Sequence, residues 1–216
     1  MNRQCAIALT LFALAFVAVF TALCGFAYPL AVTAVAKLAF SSQAEGSLVR
    51  RPANSKDNAW VGSRQIGQRF ESPRYFWGRE SGAGAKGWDA TASSGRNLGP
   101  SNPALLDVVA GRVRQIRAAH PEQRDVPIPV DLATASASGL DPDVSPAAAH
   151  FQVERVARVR GLPVDVVRTL VEAAIEPPQW GFLGTARVNV LALNLSLDAL
   201  DATNASASNA AQLGRR

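Results

Sequence analysis

From Cys5 to Ala36 the chain runs 32 residues without a charged side chain. An uncharged, apolar run of that length cannot lie on the surface of a water-soluble domain, so the fold must give it lipid or a large core. Its central part, residues 6–28, is expected to cross a membrane: at 1.5 Å per residue it matches a hydrocarbon core of about 30 Å. A cleaved signal peptide is the competing reading, but its apolar region spans only about 7 to 15 residues. A lipoprotein site at Cys24 is disfavoured by the bulk of Leu23. Pro29 is expected to kink or end the helix, with residues 31–40 leaving the bilayer as an interfacial turn and Lys37 snorkelling to the headgroups. Ala6, Ala8, Ala13, Ala15 and Ala18 are expected to form one close-packing face. This divides the chain into an anchor (1–36), a soluble domain (37–200) and an Ala/Ser/Asn-rich tail (201–216) expected to be disordered.

Of the 22 basic and 17 acidic residues only Arg3 precedes the run, and the net charge is +5. A nucleic-acid binder needs a basic stripe. Here the arginines alternate with acids, and Arg112, Arg114 and Arg117 read as the solvated face of one helix. The only cysteines, Cys5 and Cys24, would stand about 28 Å apart on a helix, too far to pair. With His120 and His150 the only histidines, a zinc or haem site is disfavoured. The basic residues flanking the run balance closely, so charge does not set its orientation.

Beyond the anchor, Ser47–Val49 and Val61–Gly67 read as strands around a polar loop at Pro52–Asn58. The stretch from Glu71 to Asn102 lacks periodicity and reads as a working surface loop. Asn102-Pro103 opens a helix to about His120, and Val126–Leu132, interrupted by prolines, reads as an edge strand. Ser145-Pro146 opens a helix that closes at Gly161, and Pro163 starts another. Val188–Leu195 reads as the clearest strand. Helices and strands interleave, giving an α/β or α+β soluble domain behind a single N-terminal transmembrane helix.

Gly82-Ala83-Gly84-Ala85-Lys86-Gly87 lacks the Gly-Lys-Ser/Thr helix start of a phosphate-binding loop. A signal-anchored hydrolase using Ser138 and His150 is the alternative function, with Ser136 and Asp141 nearby in sequence. No Gly-x-Ser-x-Gly elbow supports it. Asn97, Asn102, Ser136, Ser138 and Asp141 sit in turns beside helix starts, a pattern expected to cap helices and form a polar docking surface.

Several stretches, in order, carry a family pattern: Val61-Gly62-Ser63, Tyr75-Phe76, Asn97-Leu98-Gly99-Pro100-Ser101-Asn102-Pro103, Ser138-Gly139-Leu140-Asp141-Pro142, Ser145-Pro146-Ala147-Ala148-Ala149, Gly181-Phe182-Leu183-Gly184 and Arg187-Val188-Asn189-Val190-Leu191. Together they resemble the C subunit of the Kdp-type potassium-transporting P-type ATPase. Glu80, Arg96, Ala137, Asp143 and Thr185 depart from the family's usual residues. The resemblance implies a non-catalytic accessory subunit of a potassium importer in the bacterial inner membrane. Its implied partners are an ATP-hydrolysing subunit and a channel-like potassium-translocating subunit. It further implies a soluble domain on the outer face, no tightly bound cofactor, and a catalytic-chaperone role that raises ATP affinity. The glutamine matching Gln152 would meet the nucleotide, whereas the residues alone place Gln152 mid-helix on an exposed face.

Overall fold

The computed structural model describes residues 3–51 and 59–213, the last part from 202 as backbone. It falls into two compact units that divide at Ser47 and Leu48. The polar loop expected at Pro52–Asn58 and the last residues of the tail, 214–216, lie outside the described residues.

The first unit is one helix from Arg3 to Ala39, apolar and long enough to cross a membrane. It comprises α1 (Arg3–Phe20), a π-helical stretch Thr21–Ala27, and α2 (Tyr28–Ala39). Of the two expectations for Pro29, to kink or to end the helix, the second does not hold, since the helix runs on through it. Proline has no N–H, and its ring crowds the carbonyl four residues back, here that of Gly25. The chain widens over just that stretch: Tyr28 N–H donates to Leu23 O, a bond to i−5 in place of i−4. The alanines do not share one face either. At 100° per residue Ala6 and Ala13 lie on one side of α1, and Ala8 and Ala15 on the opposite side. One short turn, α3 (Ser41–Ala44), follows.

The second unit opens with an antiparallel pair, β1 (Leu48–Arg50) and β2 (Trp60–Ser63), in which Leu48 faces Ser63. α4 (Pro103–Ala119) begins where Asn102 and Pro103 direct it, with Asn102 Oδ1 accepting from Ala104 N–H at 3.0 Å. The segment expected as an edge strand is instead α5 (Val130–Ala133), a single turn. Pro127 and Pro129 have no N–H to give a ladder, and Asp131 accepts from Ser145 N–H at 2.7 Å, which holds the turn against the next helix.

β3 (Asp143–Val144) leads into α6 (Pro146–Arg160), capped by Ser145 Oγ on Ala148 N–H and ended by Gly161 in the left-handed region (φ 66°). α7 (Val164–Ala173) buries Val167 and Val171 one turn apart. β4 (Ile175–Glu176) and β5 (Arg187–Asn189) complete a three-stranded antiparallel sheet in the order β3-β5-β4. Val188–Leu195 is thus not a strand. Three residues pair in the sheet, and the backbone then turns helical as α8 (Val190–Leu213). Asn189 Oδ1 accepts from Ala192 N–H at 3.1 Å, an N-cap bond that takes the chain from ladder to helix.

α6 is buried around most of its girth, through Ala148, Ala149, Phe151, Val153, Val156 and Ala157. Val144, Val167, Val171, Val188, Leu193 and Leu197 pack around it. The stretch expected as a working surface loop enters this core: Phe76, Trp77, Ser81 and Ala83 are buried. Of the three clustered arginines of α4, Arg114 is exposed as a solvated face requires, but Arg112 and Arg117 are not. Arg112 is almost enclosed, pairing with Glu80 at 3.1 Å and donating to Leu132 O at 3.0 Å. Arg117 donates to Val126 O at 2.7 Å.

Candidate functional site: a clamped strap and two polar clefts

Residues 72–78 form an irregular strap that pairs with no strand among the described residues. Apart from the turn bond from Tyr75 N–H to Ser72 O at 3.1 Å, side chains satisfy its peptide groups. Two amides do so at Phe76 and Trp77. Asn194 of α8 accepts from Phe76 N–H at 2.8 Å and donates to Phe76 O at 3.0 Å. Gln152 of α6 does the same for the next residue, accepting from Trp77 N–H at 2.7 Å and donating to Trp77 O at 3.1 Å. Gln152 also donates to Ala148 O at 3.2 Å and accepts from Arg155 at 2.7 Å. It is fully buried with both amide atoms committed, not on an exposed face.

Arg155 extends the clamp. Its guanidinium donates to the carbonyls of Pro73 and Tyr75, to Gln152, and through Nε to His120 Nε2 at 2.8 Å. It lies 4.3 Å from the Trp77 ring centre. Among the described residues no carboxylate bonds it, and burial lowers its pKa to about 9. His120 is equally enclosed. Its Nδ1 lies 2.8 Å from Ile116 O, so Nδ1 carries the proton and Nε2 accepts from Arg155. Burial, the dominant cause, pulls its pKa from 6.5 to about 4, and the adjacent Arg155 charge adds to the shift.

A second set of bonds holds the strap's first half. Arg160, with its side chain enclosed, reaches Asp198 at 3.0 Å and Asp201 at 2.6 Å and donates to Arg74 O at 2.8 Å. Tyr75 Oη donates to Asp198 at 3.1 Å. Burial, then the Asp198 charge, raises the Tyr75 pKa.

The five expected docking residues do not form one patch. Asn97, exposed and in the left-handed region (φ 52°), and the buried Ser136 line one cleft of about 290 Å³ with Glu80, Arg96 and Val108. Asp141 lines a second cleft of about 500 Å³ with Asp131, Asp143 and Arg187. Arg79 borders both, pairing with Asp141 at 3.0 Å. Asn102 serves as the α4 cap. Ser138 fixes a turn, its Oγ accepting from Leu140 N–H at 3.1 Å. That turn needs Gly139 (φ 69°), where a Cβ would stand 2.4 Å from Ser94 O. Among the described residues two buried side-chain atoms have no hydrogen-bond partner, Ser136 Oγ and Arg79 Nε.

The hydrolase pairing is not assembled. Half-buried His150 bonds Glu172 of α7 at 3.1 Å, while the Ser138 hydroxyl is held by Leu140. Asp141 is engaged by Arg79 and by Asp143 N–H. Among the described residues no group of three or more His, Cys, Asp or Glu side chains can hold a metal ion.

Sequence reasoning missed His120, Arg155 and Asn194. The available signal was the spacing of Asn194, Asp198 and Asp201, which is one helix face, concealed by reading that region as a strand.

These features define a membrane-anchored protein with a mixed helix-and-sheet body whose buried polar side chains hold its own irregular backbone. The family model described as KdpC, K+-transporting ATPase, c chain, matches residues 10–199. The chain is 55% identical to the potassium-transporting ATPase KdpC subunit of Variovorax paradoxus (strain S110), over 92% of this chain and 97% of that one. It is 57% identical to the KdpC subunit of Polaromonas naphthalenivorans (strain CJ2), covering 87% and 92%. With that of Methylococcus capsulatus (strain Bath) the identity is 52%, covering 87% and 96%. The chain belongs to the KdpC family, the c chains of potassium-transporting ATPases.

Proposed function

We propose that this chain is a non-catalytic accessory subunit of an ATP-driven potassium importer, held in the bacterial inner membrane by one helix with its body on the outer face. The body meets the ATP-hydrolysing and potassium-translocating subunits through the clefts around Asn97, Ser136 and Asp141. The observation that carries this reading is the burial of Gln152 with its amide committed to Trp77, Ala148 and Arg155. A side chain so engaged shapes the body's surface and does not receive a nucleotide. Any rise in ATP affinity is transmitted through assembly, and ATP is held elsewhere in the complex. The free hydrogen-bonding capacity of Ser136 Oγ and Arg79 Nε supports the clefts as contact surfaces.

The test is potassium-stimulated ATPase activity of the purified complex. Asn97→Ala, Ser136→Ala and Asp141→Asn should each cause graded losses that follow weakened assembly, about 1 kcal/mol per lost hydrogen bond. Ser138→Ala abolishing turnover in a fully assembled complex would overturn the reading, as would a photoreactive ATP analogue labelling the peptide that contains Gln152. For sidedness, Asp165→Cys, with Cys5 and Cys24 replaced by Ala, puts one thiol on an exposed site. An impermeant maleimide should label it in intact cells. Labelling only after the inner membrane is breached would place the body inside.

A further inference from the structure

The sheet carries an aromatic finger whose tip neither the core nor the clefts use. Glu176 and Arg187, which pair at 2.9 Å, close its base, and residues 177–186 between them carry no charge. Gln179 and Leu183 close its tip by exchanging backbone hydrogen bonds of 3.0 and 2.9 Å. Trp180 and Gly181 turn there in the left-handed region, φ 54° and 83°. A bulky residue rarely adopts that conformation, and local strain of this kind gathers at functional sites. The outcome is a fixed display of apolar side chains. Trp180 is 77% exposed, Phe182 78% and Leu183 52%. Grouped large apolar side chains left in water mark a contact surface.

The position of the finger's base names the partner. Arg64, which follows β2, pairs with Glu176, and its carbonyl accepts from Asn189 Nδ2 at 2.9 Å. The neighbouring Ser63 stands opposite Leu48, the first residue of the body. The base of the finger and the point where the tether enters are thus at the same end of the body. The tether, residues 40–47, reaches at most about 30 Å even when fully extended. At its other end is the helix that crosses the bilayer. Tryptophan beside aliphatic and aromatic side chains is the composition that settles at the membrane–water boundary, where the indole ring meets hydrocarbon and its N–H meets headgroups.

We propose that the Trp180–Leu183 finger is an interfacial membrane contact that seats the body on lipid. Arg64 and Arg187 at the base, both substantially exposed, stand where lipid phosphates would lie. The contact needs only this chain and a bilayer, so it stands or falls independently of the subunit assembly.

The experiment uses the full chain reconstituted in phosphatidylcholine vesicles with brominated acyl chains. Trp60→Phe and Trp88→Phe leave buried Trp77 and exposed Trp180 as reporters. Tryptophan emission should fall in brominated vesicles relative to unbrominated ones. Adding Trp180→Phe should abolish that loss. Phe182→Ser, which keeps the reporter and removes its neighbour, should reduce it. Equal emission in both lipids, or a loss that survives Trp180→Phe, overturns the proposal. A finger that instead docks on a protein partner gives the first of these results, with Trp180→Ser then lowering recovery of the complex.

Discussion

Residues 72–78 and 177–184 are two irregular stretches of similar make-up, Ser-Pro-Arg-Tyr-Phe-Trp-Gly and Pro-Pro-Gln-Trp-Gly-Phe-Leu-Gly, yet Phe76 is fully buried and Phe182 is 78% exposed. Apolar content does not separate them. Burying backbone without a ladder leaves N–H and C=O groups that must be paired. The strap meets that demand with amides aimed at it from two helices, Gln152 and Asn194, and with Arg155 for the remaining carbonyls. The finger's backbone bonds are internal to it, Gln179 with Leu183, Gly181 to Pro178 and Phe182 to Gln179, and it stays in solvent. What decides burial for an irregular aromatic segment here is the polar equipment of its neighbours.

The contrast can be broken most severely at Arg155. Arg155→Met deprives Pro73 O, Tyr75 O and His120 Nε2 of the Arg155 donor and leaves Gln152 Oε1 with one of its two. It should destabilise the body by about 4 kcal/mol in urea unfolding of the full chain in detergent.

A pH titration comes next. His120 titrates near 4 when folded and near 6.5 when unfolded, so the unfolded state takes up the proton first. Its contribution is complete above pH 6.5 and is lost as pH falls towards 4, about 3 kcal/mol in all. His120→Asn should flatten stability across that window. An unchanged slope would mean that His120 is not the group being titrated.

Gln152→Leu and Asn194→Leu should each cost about 2 kcal/mol by leaving one strap residue's backbone unpaired. Because they hold adjacent residues, the double variant should lose less than the two added together. The smallest effect belongs to the finger. Trp180→Ser should change unfolding stability by no more than about 0.5 kcal/mol, since the side chain buries little. A larger loss would mean that the two stretches are not opposites after all.

Helix starts were the most legible part of the fold. Asn102-Pro103 and Ser145-Pro146 place a side-chain acceptor and a residue that needs no donor at the first turn, local chemistry that tertiary contacts leave intact. The β5–α8 junction was not legible. Val188–Leu195 is a short apolar run that suits a strand or a buried helix equally, and the cap bond from Asn189 decides it. The candidate site was legible only in outline. Asn97, Ser136 and Asp141 do line clefts, but nothing local in the sequence tells that Gln152 faces a strap 75 residues earlier. A glutamine and an arginine three residues apart, amid alanines and valines, have the same spacing whether the helix faces water or backbone.

A helix is a screw, and the π-helical stretch Thr21–Ala27 cuts its thread. Each α-helical residue turns the side-chain direction by about 100°, and a turn closed to i−5 admits a residue more than that pitch allows. A line of side chains begun on α1 therefore comes out on a different bearing along α2. Two neighbours lying against the halves of this rod would touch sides that no single heptad-style count along the sequence would align. Pro29, by preventing the plain closure, fixes that offset. Removing it would rotate one half against the other while leaving every other side chain on both unchanged.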